Sequence, residues 1–187
     1  MNNENTPQTK KSMTMKIVIP LLIISILVAI WVIKNKNDAG ILKKDNSGTV
    51  TSANSDFELH VTEKIDIEKL KSYGVPIIID FGADSCIPCK EMAPVLKALN
   101  AELQGKAIVK FVDVWKYQQF AQGYPISVIP TQIFIDANGK PYKPKDPEAK
   151  QMKMYSSKEN GEHIFTAHEG GMSKEQLLSA LKEMGLK

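Results

Sequence analysis

The chain has 187 residues, 43% of them hydrophobic, and a net charge of +3, which suits one folded domain with appendages. All 24 basic residues are lysines, so bidentate arginine clamps for phosphate or carboxylate are excluded. The excess charge sits in residues 1–56, with seven lysines against four acids; residues 57–187 balance 17 against 17 without a basic cluster among aromatics, which argues against nucleic-acid binding.

Residues 1–16 form a polar N-terminal tail. Ile17 to Ile33 follows as 17 residues without a charge, bounded by Lys16 and Lys34. A run of about 17 apolar residues is just long enough to span a bilayer. It is apolar on every face and adjoins a polar linker, which does not fit a buried core helix. It also exceeds a signal-peptide core of about 7–15 residues, and no small-x-small site follows it. An uncleaved anchor is therefore expected rather than a cleaved signal, and no cysteine stands near its end to carry a lipid. Lysines flank both ends, so charge does not orient the span. Residues 34–56, rich in Asn, Ser, Thr, Lys and Gly, are expected to be a flexible linker with a reach of roughly 25 Å.

From residue 57 to 187 strand and helix patterns alternate. Phe57 to Val61 alternates as a half-buried strand, and Thr62 to Tyr73 has helical character that Gly74 stops. Pro76 to Phe81 is a continuous apolar run, as in a central strand. Met92, Leu96, Leu99 and Leu103 recur at helical spacing up to Gly105. Ala107 to Val114 is the next expected strand, Lys116 to Gln122 a short helix, and Thr131 to Ala137 a strand ending at the turn Asn138-Gly139. His163 to Ala167 is the expected return strand. Ser173 to Met184 is the closing helix, with Ser173 as cap and Gln176 at the capping-box position. The Lys140 to Gly161 connection, with three prolines, is long for a hairpin and is expected to be a surface loop.

The only two cysteines stand three apart, as Cys86-Ile87-Pro88-Cys89, so each is the other's natural disulfide partner. A loop this short gains little stability from the bond, which points to redox chemistry instead. Disulfide exchange needs an attacking thiolate and a resolving thiol. With Asp84 or Ser85 as N-cap, Cys86 falls in the first helical turn, where free N–H groups favour an anion and lower the thiol pKa below about 8.5. Cys89, one turn in, suits the resolving role, and Pro88 stiffens the first turn at little cost. The competing use is a zinc half-site, but His60, His163 and His168 lack ligand spacing, and no metal or other cofactor is expected.

The segment Ile77-Ile78-Ile79-Asp80-Phe81-Gly82-Ala83-Asp84-Ser85-Cys86-Ile87-Pro88-Cys89-Lys90 resembles the active-site segment of the thioredoxin family. Pro94 resembles its helix-kinking proline, Ile129-Pro130-Thr131 its cis-proline loop, and Glu169-Gly170-Gly171 its terminal turn. The resemblance covers residues 57–187. It implies an α/β thioredoxin fold, a central mixed sheet flanked by helices, here preceded by one N-terminal transmembrane helix and a linker. It also implies roles: Cys86 and Cys89 as the redox-active disulfide, Asp80 buried beneath them as the proton carrier for Cys89, and Ile129 and Pro130, with Ile87 and Pro88, as the substrate-binding surface. Ser85 and Ile87 depart from the usual tryptophan before and glycine after the first cysteine.

The expected function is a protein-disulfide oxidoreductase at the cell membrane, single-pass, with its catalytic domain outside the cytoplasm, where a lone disulfide motif has most work. Pro88 and Asp80 lean towards a reductase, like the tethered bacterial proteins of this family that include servants of cytochrome c maturation. Protein disulfides are the expected substrates, and a membrane donor of thiol-transfer type the implied electron source. The alternatives are a dithiol oxidase or isomerase, and a tethered metal-binding module without catalysis.

Overall fold

The computed structural model describes residues 24–25 and 54–187. The expected span at 17–33, save Ile24 and Ser25, and nearly all of the linker lie outside the described residues. Among the described residues, no helix is long and apolar enough to cross a membrane.

The apolar run after Val75 forms β1 (Ile77–Gly82), buried along its whole length. β2 (Ile108–Asp113) lies parallel on one side of it and β3 (Thr131–Ile135) antiparallel on the other. β5 (His163–Glu169) pairs with β3, and β4 (Met152–Ser156) closes the far edge, giving the order β2-β1-β3-β5-β4. This is the mixed sheet that the resemblance implies. Side chains alternate across it. Ile77, Ile79 and Phe81 pack on one face with Val61 and with Leu70 of α1 (Ile67–Ser72). Ile78 faces the other way, into a core with Met92, Leu96 and Leu99 of α2 (Ile87–Glu102) and Leu177 and Leu181 of α3 (Lys174–Glu183). Asp80 shares that second face by the same alternation, which turns a carboxyl group into the helix-covered core.

Four local expectations change. Phe57 to Val61 is not a strand: Ser55–Phe57 is a 3₁₀ turn, and only His60 bridges to Phe111 on β2. The cause is Lys110, a buried lysine whose Nζ donates to Ser55 O at 2.9 Å and Glu58 O at 2.7 Å, coiling the segment over the sheet edge. The helix after it begins only at Ile67, because Asp66 accepts from Lys69 N and so caps it there. The short helix at 116–122 contracts to a 3₁₀ turn, Gln118–Ala121.

The fourth change is the long connection, which contains β4. Asp136 to Lys140 does form a tight turn, with Gly139 at φ 74°. The returning chain bridges β3 only at Pro141, since proline has no N–H to extend a ladder. The chain is then anchored by buried Tyr142, whose hydroxyl donates to Glu183 on α3 at 2.6 Å. It comes back as β4, an edge strand whose Lys153 pairs with Glu169 on β5.

The closing helix matches expectation in detail. Ser173 Oγ accepts from Gln176 N, and Gln176 Oε1 accepts from Ser173 N at 2.8 Å, a complete capping box. Ser173→Ala is expected to lower unfolding free energy by about 1 kcal/mol, read as a shifted urea midpoint at unchanged slope.

Candidate active site

The site lies where β1 ends and α2 begins. Gly82 closes the strand, a turn held by Cys86 N donating to Ala83 O at 3.1 Å follows, and the helix starts. The N-cap is Cys86 itself, with extended backbone at φ −77° and ψ 127°, not Asp84 or Ser85 as the spacing suggested. Pro88 cannot donate from the first turn, and Lys90 N makes the first helical bond to Cys86 O at 3.0 Å. Cys86 therefore stands one step outside the helix, next to its free N–H groups but without a side-chain hydrogen bond to them. It is joined to Cys89 in a disulfide with Cα atoms 5.3 Å apart. Cys86 is half-buried and Cys89 buried, the asymmetry expected of an attacking and a resolving sulfur. An apolar cleft of about 480 Å³, bordered by Ala83, Cys89, Pro94 and Phe111, reaches Cys89 from its other side.

Opposite the disulfide stands the loop before β3. The Ile129–Pro130 peptide is cis, and Cys86 Sγ lies 4.0 Å from Ile129 O. The loop is fixed by Thr131 Oγ1 donating to Val128 O at 2.7 Å, and by Gly170 N donating to Pro130 O at 2.8 Å. The terminal turn thus braces the proline loop, with Gly170 at φ 100°, a conformation that favours glycine.

Beneath the motif Asp80 is 1% exposed. Its Oδ1 accepts from Gln132 Nε2 at 2.8 Å, and its Oδ2 has no partner. Burial pushes its pKa up to about 7, against a smaller downward pull from the Gln132 hydrogen bond. Gly82 connects it with the disulfide. A Cβ there would lie 2.9 Å from Phe111 Cε2, 3.2 Å from Cys89 Sγ and 3.4 Å from Asp80 Oδ2, so only glycine fits, and the sulfur and the carboxyl oxygen both pack against it.

Three residues that sequence patterns did not single out complete the surroundings. Gln132 is a buried amide in a strand whose only other polar side chain is that of Thr131. Asp113 receives N–H groups from Asp84, Trp115 and Lys116 at 3.0–3.1 Å, and Lys116 pairs with Asp84. Although burial acts to raise the Asp113 pKa, those backbone donors hold it below its usual value. This pins the 113–116 turn against the motif and presents Trp115, 63% exposed. Ile87, at 72%, opens α2 beside Cys86, and Val128, at 49%, is exposed on the loop that holds the cis peptide. A glutamine directly before the apolar run 133–135 was the available signal for Gln132; nothing local marks Trp115.

The histidines are occupied elsewhere. His163 Nε2 lies 2.9 Å from both Phe165 O and Thr166 Oγ1, and His168 Nδ1 lies 3.0 Å from Gln132 Oε1. His60 lies edge-on to Phe111. Among the described residues no group of three or more His, Cys, Asp or Glu is placed to hold a metal ion.

Residues 51–158 match the family model described as Thioredoxin. The chain belongs to the thioredoxin family. It is 39% identical over 74 residues to "Thioredoxin Y, chloroplastic" of Oryza sativa subsp. japonica, covering 40% of this chain and 44% of that one. It is 33% identical over 76 residues to "Thioredoxin" of Mycoplasmoides gallisepticum, covering 41% of this chain and 75% of that one. A crystal structure of chloroplastic thioredoxin z is 25% identical, with a TM-score of 0.43, over 65% of this chain and 92% of that one. The alignment thus spans less than half the length of the rice protein. The family match takes in Asp80, both cysteines and the cis-proline loop, while α3 of this thioredoxin-family chain lies beyond it.

Proposed function

We propose that this chain is a thiol-disulfide oxidoreductase that reduces disulfides in other proteins. The observation that carries the reading is the graded exposure of one disulfide: half-buried Cys86 at a helix start facing the cis-proline loop, and buried Cys89 beside a buried carboxyl group. In the reduced chain the Cys86 thiolate attacks one sulfur of the substrate disulfide, and the other sulfur leaves as a thiolate. Cys89 passes its proton towards Asp80, attacks Cys86 Sγ, and releases the second substrate thiol. Two electrons have then moved to the substrate, and the Cys86–Cys89 disulfide is the oxidised product. Ile129, Pro130, Ile87 and Pro88 supply the surface on which the substrate segment lies.

The working site in this reading is the outer face of the cell membrane, with residues 17–33 as the single-pass anchor and 34–56 as the linker. Reduction there requires a membrane donor of dithiols, and envelope protein disulfides, those of cytochrome c apoprotein included, form the substrate class. Support comes from the uncharged run Ile17 to Ile33 and from Pro88 and Asp80 in the motif. The test is insulin reduction by the full-length chain with a chemical dithiol as donor, alongside its reduction potential. Turnover that is lost in Cys86→Ser, with a potential near about −270 mV, supports a reductase. A potential near about −120 mV would make it an oxidase. Full turnover by Cys86→Ser would sink the redox mechanism, and bound stoichiometric metal without turnover would favour a metal-binding module.

Trp115, Ile87 and Val128 are exposed apolar side chains on the three segments bordering the motif, a surface that suits a macromolecular substrate. Trp115→Ala is expected to lower kcat/KM for a protein disulfide by about tenfold, as loss of an aromatic anchor does. Reaction with a small aromatic disulfide should change less than about twofold. Equal losses with both would place Trp115 in the structure of the site instead of in recognition.

A further inference from the structure

Asp80, Gln132 and His168 stand in register on three neighbouring strands, Asp80 opposite Gln132 and Gln132 opposite His168. The row continues to Phe111 on β2 beyond Asp80 and to Met152 on β4 beyond His168, so apolar side chains close both ends. All three polar residues are buried. We infer that Gln132, held by His168, is a positioning residue that blocks one oxygen of Asp80 and leaves the other to exchange a proton with Cys89. The inference rests on the proposed role of Asp80 in serving Cys89.

The hydrogen-bond inventory leaves little choice. Gln132 Nε2 donates to Gly170 O at 3.0 Å and to Asp80 Oδ1 at 2.8 Å. A main-chain carbonyl only accepts, so the amide nitrogen must face Gly170 O and the amide oxygen must face His168. An amide oxygen also only accepts, so His168 carries its proton on Nδ1 and donates at 3.0 Å. Flipping the amide would set its oxygen against the Gly170 carbonyl oxygen, with no proton between them, and its nitrogen against the Nδ1 proton of His168. The amide is therefore locked from both ends.

The lock has a consequence for the carboxyl group. A proton on Oδ1 would collide with the Gln132 N–H that already points there. The protonated form must carry its hydrogen on Oδ2, the unpartnered oxygen that packs, together with Cys89 Sγ, against Gly82. Gln132 donates and cannot accept from Asp80, so it favours the carboxylate and offsets part of the burial effect. The titratable groups facing Asp80 are Cys89 from α2 and, through Gln132, His168 from β5; β2 offers Phe111. His168 is kept towards its neutral form by burial. Glu169, next along β5, is turned to Lys153 at 2.6 Å. The amide is thus the means by which the carboxyl group is both aimed and tuned.

The test follows the Asp80 side-chain carboxyl by carbon NMR during a pH titration of the oxidised full-length chain, with Asp80→Asn to assign the signal. Gln132→Leu is expected to raise the midpoint by at least about one pH unit, leaving at least about fivefold less carboxylate at pH 7. His168→Leu should raise it by less, and His168→Gln, which keeps a donor, should restore it. The rate at which Cys89 resolves a preformed mixed disulfide at pH 7 should fall in step, by at least about fivefold in Gln132→Leu. Gln132→Met, close to glutamine in length, makes the same measurement if the leucine variant does not fold. A midpoint unmoved in a folded Gln132 variant, while Asp80→Asn slows resolution, overturns the inference alone. Resolution as fast in Asp80→Asn as in the unaltered chain, with the same pH dependence, overturns the reading beneath it.

Discussion

Cys89→Ser is expected to leave the full-length chain covalently joined to its substrates through Cys86, with turnover reduced at least about a thousandfold, as when one member of a catalytic unit is removed. The expectation follows from burial. Cys86 keeps its place at the N-cap and its access to solvent, so the first exchange proceeds. The sulfur that would break the mixed disulfide is gone, and the serine hydroxyl, whose conjugate base is far more basic than a thiolate, does not replace it. Non-reducing electrophoresis would show adducts that a dithiol releases, and mass spectrometry of the released partners would name the substrates. Cys86→Ser should form no adduct. A Cys89→Ser chain that turns over normally, or a Cys86→Ser chain that traps partners, would reverse or abolish the assignment of the two sulfurs.

Asp80→Asn is expected to stabilise the oxidised chain above neutral pH while slowing its chemistry. Asp80 has its pKa raised from 3.8 to about 7 by burial, so the folded chain holds a proton that the unfolded chain releases between those values. Its contribution is therefore intact below pH 3.8 and is lost as pH rises through about 7. Above that, folding must keep a carboxylate with one unpartnered oxygen in the core. Asparagine carries no charge there, so the gain at pH 8 should be about 2–4 kcal/mol and should vanish near pH 4. Denaturant unfolding at pH 4, 6 and 8 measures it. A variant that is less stable at pH 8 would show that Asp80 is not strained by its burial. Greater stability with slower turnover is the usual exchange where a polar group is kept in a core for chemistry.

The parts of the site legible in the chain were those whose chemistry is set by near neighbours. Cys86 and Cys89 announce themselves by spacing, Asp80 by the family resemblance of the segment leading to them, and Ser173 with Gln176 by the three-residue interval of a capping box. Even there one detail shifted: the helix begins one position later than a Ser85 cap implies and two later than an Asp84 cap, because Cys86 adopts the extended backbone of a cap. Phe57 to Val61 failed as a strand for a distant reason, the ammonium group of Lys110 gathering carbonyls 52 and 55 residues away. β4 escaped notice because a strand at a sheet edge, half exposed and following three prolines, lacks the apolar pattern of a central one.

Burial, register and the closeness of distant loops belong to the folded chain alone. Gln132 lies 52 residues from Asp80 and His168 lies 36 from Gln132, and no periodicity along the chain relates them. They meet because β1, β3 and β5 are neighbours and because their registers agree; a slip of one residue would turn each to the opposite face. Trp115 comes to the border of the motif through the carboxyl group of Asp113, which gathers the turn against Asp84. Two cysteines at close spacing are enough to declare a redox pair. Which sulfur is shielded, which carboxyl oxygen stands free, and what surface surrounds the exposed sulfur depend on strand pairing, since only pairing brings residues far apart in the chain within hydrogen-bond reach.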